Sequence, residues 1–276
     1  ELVVPANYDG YVVYAVGQQD VNDNSPSSQR YNVLGEKTLS NSTITKLTIE
    51  EGIKEIKASA FNQCTGIKGN LVIPDGVTKI GKLAFNKCSG FDGTLTLPSS
   101  LKSIGDGAFQ FCSGFTGDLV IPEGVETLGA YVFNKCSGFN GNLTLPTTLK
   151  SIGDGAFQLC SGFTGDLVIP EGVETLGAYV FNMCSGFTGD LVIPDGVTKI
   201  GRLAFNKCSG FNGTLTLPST LKSIGKASFQ YCSGLTGDLV IPEGVEKVED
   251  YTFYACSKLI GDLIIPDSVE SVGYFG

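Results

Sequence analysis

The most reactive side chains in this 276-residue chain are nine evenly spaced cysteines, at 64, 88, 112, 136, 160, 184, 208, 232 and 256. Thiols offer disulfides, zinc binding or nucleophilic catalysis. An odd number on one line cannot pair completely. Zinc needs four ligands converging on a point, and these form a row. A cysteine nucleophile needs a base beside it, and histidine, the commonest one, is absent, as is tryptophan. The spacing therefore predicts a reduced, buried ladder in which each thiol packs as a small hydrophobe. No catalytic constellation emerges, so the chain is expected to be no enzyme and to carry no cofactor and no structural metal.

Carboxylates are the other candidates. The segment Asp20, Val21, Asn22, Asp23, Asn24 begins like a calcium loop, but its sixth position is Ser25 where glycine belongs and its twelfth is Tyr31 where glutamate belongs. It reads as a solvated polar loop. Two acidic rails look more useful. One holds Asn70, Thr94, Asp118, Asn142, Asp166, Asp190, Thr214, Asp238 and Asp262; the other holds Asp75, Ser99, Glu123, Thr147, Glu171, Asp195, Ser219, Glu243 and Asp267. Where both are acidic, as at Asp166, Glu171, Asp190 and Asp195, neighbouring repeats are expected to bring carboxylates together. Such a strip attracts a basic partner or weakly holds calcium, unless it is ordinary solubilising charge. Between the rails runs a β-branched stripe that includes Val72, Thr96, Val120, Thr144, Val168 and Val192, either strand propensity or a contact surface. The candidate partner-binding residues are thus Asp118, Val120, Glu123, Thr144, Asp166, Val168, Glu171, Asp190, Val192 and Asp195. A further outward rail, Leu83, Gly107, Tyr131, Gly155, Tyr179 and Leu203, sets large beside small and suggests packing between repeats.

What positions these residues is the repeat itself. Leucine recurs at the same interval as the cysteines, at 47, 71, 95, 119, 143, 167, 191, 215, 239 and 263. Residues 191–214 repeat 71–94 with only Arg202 in place of Lys82 and Asn212 in place of Asp92. A fixed period of this length is the signature of a solenoid. Residues 95–142 and 143–190 differ at only six of 48 positions, which points to recent tandem duplication. Within a unit, Leu95 and Leu97 alternate with an outward Thr96 as a short strand, which Pro98 closes because proline has no donor for a ladder. Leu101 and Ile104 point inward, and Gly105 suits a turn with positive φ. Phe109 and Cys112, three apart, suit one helical or 3₁₀ turn.

The repeat region spans 47–276, nine full copies and a truncated tenth. Its first copy is degenerate (Glu50 in place of the proline, Lys57 in place of a glycine), and its ninth is unusually charged, with Glu246, Lys247, Glu249 and Asp250. Residues 1–46 stand outside the period. Runs at 11–16 and around Tyr31 to Leu34, joined by polar residues 18–30, read as a hairpin-like cap over the first rung. A net charge of −9 argues against nucleic acid or an anionic membrane surface as partner. No apolar run is long enough to span a membrane, and the opening residues lack the basic flank of a leader.

The pattern L-x-[IL]-P-x-x-[VL]-x-x-[IL]-G-x-x-A-F-x-x-C-S-G-[FL] resembles the BspA-like, Treponema-type leucine-rich repeats over 47–276. That resemblance implies a curved, right-handed leucine-rich-repeat solenoid with a parallel sheet on its concave face and short 3₁₀ or helical turns on the convex one. It also implies a secreted or cell-surface bacterial protein, taken as a monomer, that binds host or bacterial proteins. Two other readings stand beside it: a structural spacer, and a carbohydrate-binding module using Tyr8, Tyr11, Tyr14 and Tyr31.

Overall fold

Equivalent residues of successive repeats stack on one another. Leu71 pairs with Leu95, Leu119 with Leu143, Leu191 with Leu215 and Leu239 with Leu263, all in parallel. The computed structural model describes residues 2–4, 7–8, 11–12, 15–16 and 45–276, and over them the chain winds as a parallel β-solenoid. Each rung is named below by its leading leucine.

A rung contains two short strands. The first is the expected one: Leu95–Thr96 buries its leucine and exposes its threonine, and Pro98 follows. The second, such as Lys79–Ile80 or Ser103–Ile104, buries its aliphatic residue and was not anticipated. It is this second strand that builds the long sheet, 11 strands in parallel, whereas the first strands join only two by two. The expectation of one long sheet through the Leu-x-Leu strands is corrected accordingly.

At the N-terminal side, Leu2–Val4 pairs with Leu47–Ile49, and Ala15–Val16 pairs with Glu55–Ile56, so the pre-repeat segment extends both strand edges. Asn7–Tyr8 and Tyr11–Val12 form a tight antiparallel hairpin. The run around Tyr31, the polar stretch 18–30 and the calcium-like Asp20 to Asn24 lie outside the described residues.

The segment carrying Phe109 and Cys112 is turn, and no helix exists among the described residues, which corrects the expected helical turns. The cause is a left-handed residue at every fourth position: Gly107 (φ 59) and Phe111 (φ 63) here, Tyr131 (φ 56) and Lys135 (φ 62) one rung on. None of the residues placed there is β-branched, the side chains that tolerate this region least. Amides consequently alternate in direction. Those of Ala108, Gln110 and Cys112 close turns onto Gly105, Gly107 and Phe109. Those of Gly107, Phe109 and Phe111 bond forward to Ala130, Val132 and Asn134 of the next rung. Gly105 itself is not at positive φ. A Cβ there would lie 2.7 Å from the Lys82 amide nitrogen, so close approach of rungs selects glycine.

The core is made of like-on-like ladders. Phe109, Phe133 and Phe157 are fully buried and stack with centroids 5.3 and 5.7 Å apart. A second column, through Phe115, Phe139 and Phe163, meets the first edge-on, as Phe133 and Phe139 do at 6.4 Å. Such pairs contribute about 0.5–1.5 kcal/mol each beyond the area they bury. We expect Phe157→Ala to lower unfolding free energy by ~3–5 kcal/mol in chemical denaturation. Cys160→Ala removes far less volume and should lose distinctly less; equal losses would contradict the assignment of the core to the phenylalanine ladders.

Candidate functional site

The ten candidate residues all lie on the surface, on the face of the first strands. Alternation in a two-residue strand dictates this: with Leu119 and Ile121 buried, Val120 must point outward. Val72, Val120, Val192 and Val240 are 56, 53, 50 and 48% exposed, and Val168 is 69% exposed. Val120 stands directly beside Thr144 across a paired ladder.

The carboxylates divide into two groups. Asp118 Oδ1 accepts the Asn142 amide at 2.7 Å, and Asp190 Oδ1 accepts both the amide and the hydroxyl of Thr214, at 2.6 and 3.0 Å. Glu123 accepts the amide and hydroxyl of Thr147, each at 3.0 Å. The Thr214 amide, followed by its hydroxyl, holds the Asp190 carboxyl below its ordinary range, and the Thr147 amide does the same for Glu123. These groups tie one rung to the next. The side chains of Asp166, Glu171 and Asp195 have no such partner among the described residues. Their rungs share a face without pairing: Asp166 bridges through its backbone to Thr188, and Leu167 joins no first-strand ladder. Among the described residues no group of three or more His, Cys, Asp or Glu is placed to hold a metal.

Two features escaped the sequence reasoning. An open groove of about 660 Å³ runs beside the second strands, lined by Lys57, Lys79, Lys82, Ser103, Asp106 and Thr127 among others. At its end Glu55 meets Lys57 at 2.6 Å and Lys79 at 3.1 Å. Burial pulls the Glu55 carboxyl upward, but the two lysines outweigh it and hold it below its usual range. A two-residue strand is too short to register as a period, so the groove it borders left no signal. The second feature is an amide ladder: Asn86 bonds Asn62, Asn134 bonds Gln158, and Asn206 bonds Gln230, each at 2.9 Å. Its signal was present, since Asn or Gln follows the rail phenylalanine in every copy from Asn62 to Gln230.

On the turn edge the large-beside-small rail packs between rungs as expected. A Cβ on Gly155 would sit 2.5 Å from the Tyr131 ring, and one on Gly107 2.8 Å from Leu83. The cysteines form the expected reduced and buried row. From Cys88 to Cys256 each thiol also donates to a phenylalanine carbonyl of the preceding rung: Cys136 to Phe109, Cys160 to Phe133 and Cys184 to Phe157, all at 3.0 Å. Burial pushes Cys160 and Cys208 up to about 12, which leaves no nucleophilic thiolate at neutral pH.

A family model described as BspA type leucine rich repeat region (6 copies) matches residues 32–164, 115–236 and 163–275. Among solved structures, a leucine-rich repeat protein from Bacteroides ovatus is 25% identical, with a TM-score of 0.66, covering 99% of this chain and 71% of its own. The leucine rich repeat protein of T. pallidum is 23% identical, TM-score 0.49, over 75% of this chain and 86% of its own. A leucine rich cell surface protein from Faecalibacterium prausnitzii is 21% identical, TM-score 0.41, over 81% and 80%. No curated protein matches the chain.

Two outcomes follow for the ladders. A thiol reagent applied to the native protein at neutral pH should leave Cys112 to Cys232 unlabelled in mass analysis, and all nine cysteines should react after denaturation. Labelling of the central thiols in the native state would contradict their burial. Asp190 and Glu123 have folded pKa values below their unfolded ones, so their stabilisation is present above the unfolded pKa and lost as pH falls through the folded one. Asp190→Asn keeps an acceptor, as Asn70 does for the Thr94 amide at 2.9 Å. It should be tolerated at pH 7 and should lessen the fall in Tm between neutral and acid pH; an unchanged acid limb would remove this role.

Proposed function

Because the chain belongs to the BspA-type leucine-rich repeat family, we propose that it is a protein-binding module acting at the bacterial surface or after secretion, which adheres to a host or bacterial protein through its first-strand face. The observation that carries this reading is the exposed β-branched stripe from Val72 to Val240, bordered on both sides by carboxylates. Exposed apolar side chains, here valines alternating with threonine, inside a polar rim are the usual anatomy of an interaction face. Recognition is by shape and charge, without chemistry: the rungs hold the stripe in place before binding, so little ordering entropy is lost on association. The acidic rim favours a basic partner and accelerates its encounter.

A second reading, a spacer that holds another part of a longer protein away from a surface, draws on a different observation. Asp118, Glu123 and Asp190 serve to bond rungs together, so part of the rim is structural. The two readings separate in one experiment. The immobilised protein is exposed to extracellular-matrix and bacterial surface proteins at low and high salt, beside a variant with Asp166, Glu171 and Asp195 changed to Lys. The side chains of these three have no partner among the described residues, so their reversal should spare the fold. We expect a partner retained by the parent protein, weakened by salt, and lost at least tenfold by the variant. A partner retained equally by both would place recognition elsewhere, and no partner for either would favour the spacer.

A further inference from the structure

The first-strand edge is bonded in alternation. The rungs of Val72, Val120 and Val192 bond forward to a rung whose exposed strand residue is threonine, and that of Val240 to the rung of Ile264. From Leu119 to Leu143, Gly117 donates to Asn140 Oδ1 at 2.8 Å and Gly124 to Thr148 Oγ1 at 3.0 Å. The Leu119 and Ile121 amides donate to the Asn142 and Thr144 carbonyls at 2.9 and 3.0 Å, and Asp118 takes the Asn142 amide in return. The step from Leu71 to Leu95 has the same set, with Asp92 and Ser100 as the acceptors. Steps from a threonine rung to the next valine rung have none of it. One bond of another kind crosses there, such as Thr116 to the Gly93 carbonyl at 2.8 Å.

At Leu167 the alternation fails, because two valine rungs, Leu167 and Leu191, are adjacent. Thr188 stands where Asn140 would accept a glycine amide, and Gly196 where Thr148 would supply a hydroxyl. Gly172 lies outside the left-handed region that Gly76, Gly124 and Gly244 occupy at φ 92, 91 and 88, as does Gly196 of the next rung. Only the Thr188 amide crosses on this edge, to the Gly165 carbonyl at 2.8 Å. The Leu167 rung is therefore the one repeat rung among the described residues that joins no first-strand ladder, its edge holding only the isolated bridge from Asp166 to Thr188. Its Val168 is also the most exposed valine of the stripe.

Elsewhere this junction is intact. Thr175 and Leu176 pair with Lys199 and Ile200, and the Phe181 and Met183 amides reach Ala204 and Asn206 at 2.8 and 2.7 Å. We propose that the Leu167 rung is a hinge built into the solenoid. Its first-strand edge parts from the neighbouring rungs before any other inner junction, with the second-strand and turn ladders as the axis. Every other repeat rung has a full set of first-strand bonds on at least one side, whereas the Leu167 rung has a single amide bond on each, from Thr164 to Gly141 and from Thr188 to Gly165. In a stack where each rung contacts only its neighbours, the rung held by fewest bonds opens at the lowest free energy. Opening there changes the separation of Asp166 and Glu171 from Asp195, so the surface assigned to recognition is adjustable at this point. The inference concerns the stack and holds whether or not a partner is found.

Two measurements test it. In the full chain, the Thr188 amide makes the same bond as the Thr116 and Thr236 amides make at ordinary junctions. Amide exchange followed by NMR should find Thr188 at least about tenfold faster than those two, and equal rates would overturn the proposal. Separately, deleting residues 164–187 joins the Leu143 rung to the Leu191 rung and restores alternation, whereas deleting residues 140–163 puts three valine rungs in succession; each removes one repeat. The first protein should melt several degrees above the second. Equal melting would also overturn the hinge, and if either deletion fails to fold, the exchange rates decide.

Discussion

In the ladders of the repeat region a residue stands beside its own counterpart one repeat away along the chain. A residue is admissible only if its type can be stacked on itself at the spacing of parallel strands, about 4.8 Å. Phenylalanine meets the condition by offset ring stacking, cysteine by its small volume and a carbonyl acceptor one rung back, and asparagine or glutamine by amide-to-amide bonds. Glycine meets it where nothing larger fits, as at Gly105 against the Lys82 backbone. The rails visible in the sequence are this condition written out along the chain.

Carboxylates do not meet it, since like charges stacked on each other repel. At several rungs alternation avoids this: Asp118 is followed by Asn142, Asp190 by Thr214 and Glu123 by Thr147, and in each case the acid accepts a hydrogen bond from the uncharged residue that follows. At the last junction Asp238 accepts the backbone amide of Asp262 instead. What looks in the sequence like a strip of charge for an external partner is in part the means by which rungs are joined. Among the six candidate carboxylates, those left over are Asp166, Glu171 and Asp195, and they occur where two acidic rungs stand side by side. The acidic pair of rungs and the gap in the first-strand ladders coincide there because no threonine rung stands between Leu167 and Leu191.

For binding, the division matters. A rigid array offers a partner a preformed surface, and a discontinuity in it offers adjustment. The β-branched stripe crosses the Leu167 rung without interruption, so a ligand along the face would meet both.

The period, the inward rails of leucine, phenylalanine and cysteine, and the exposed position of all ten candidate residues were legible in the sequence. Stacking repeats them, and repetition is visible in one dimension. The amide column from Asn62 to Gln230 was legible too and was overlooked. The rest required the tertiary structure. Which strand propagates as a sheet depends on hydrogen bonds between rungs, and Leu95–Thr96 and Ser103–Ile104 are too short for a pattern to distinguish them. Whether Gly105 serves φ or close approach depends on what faces it from the rung before. That Asp118 is a rung tie while Asp166 has no such partner depends on whether the first strands pair at that junction, as Leu119 does with Leu143 and Leu167 does not with Leu191. Such pairing appears only when the coil sets the two rungs side by side.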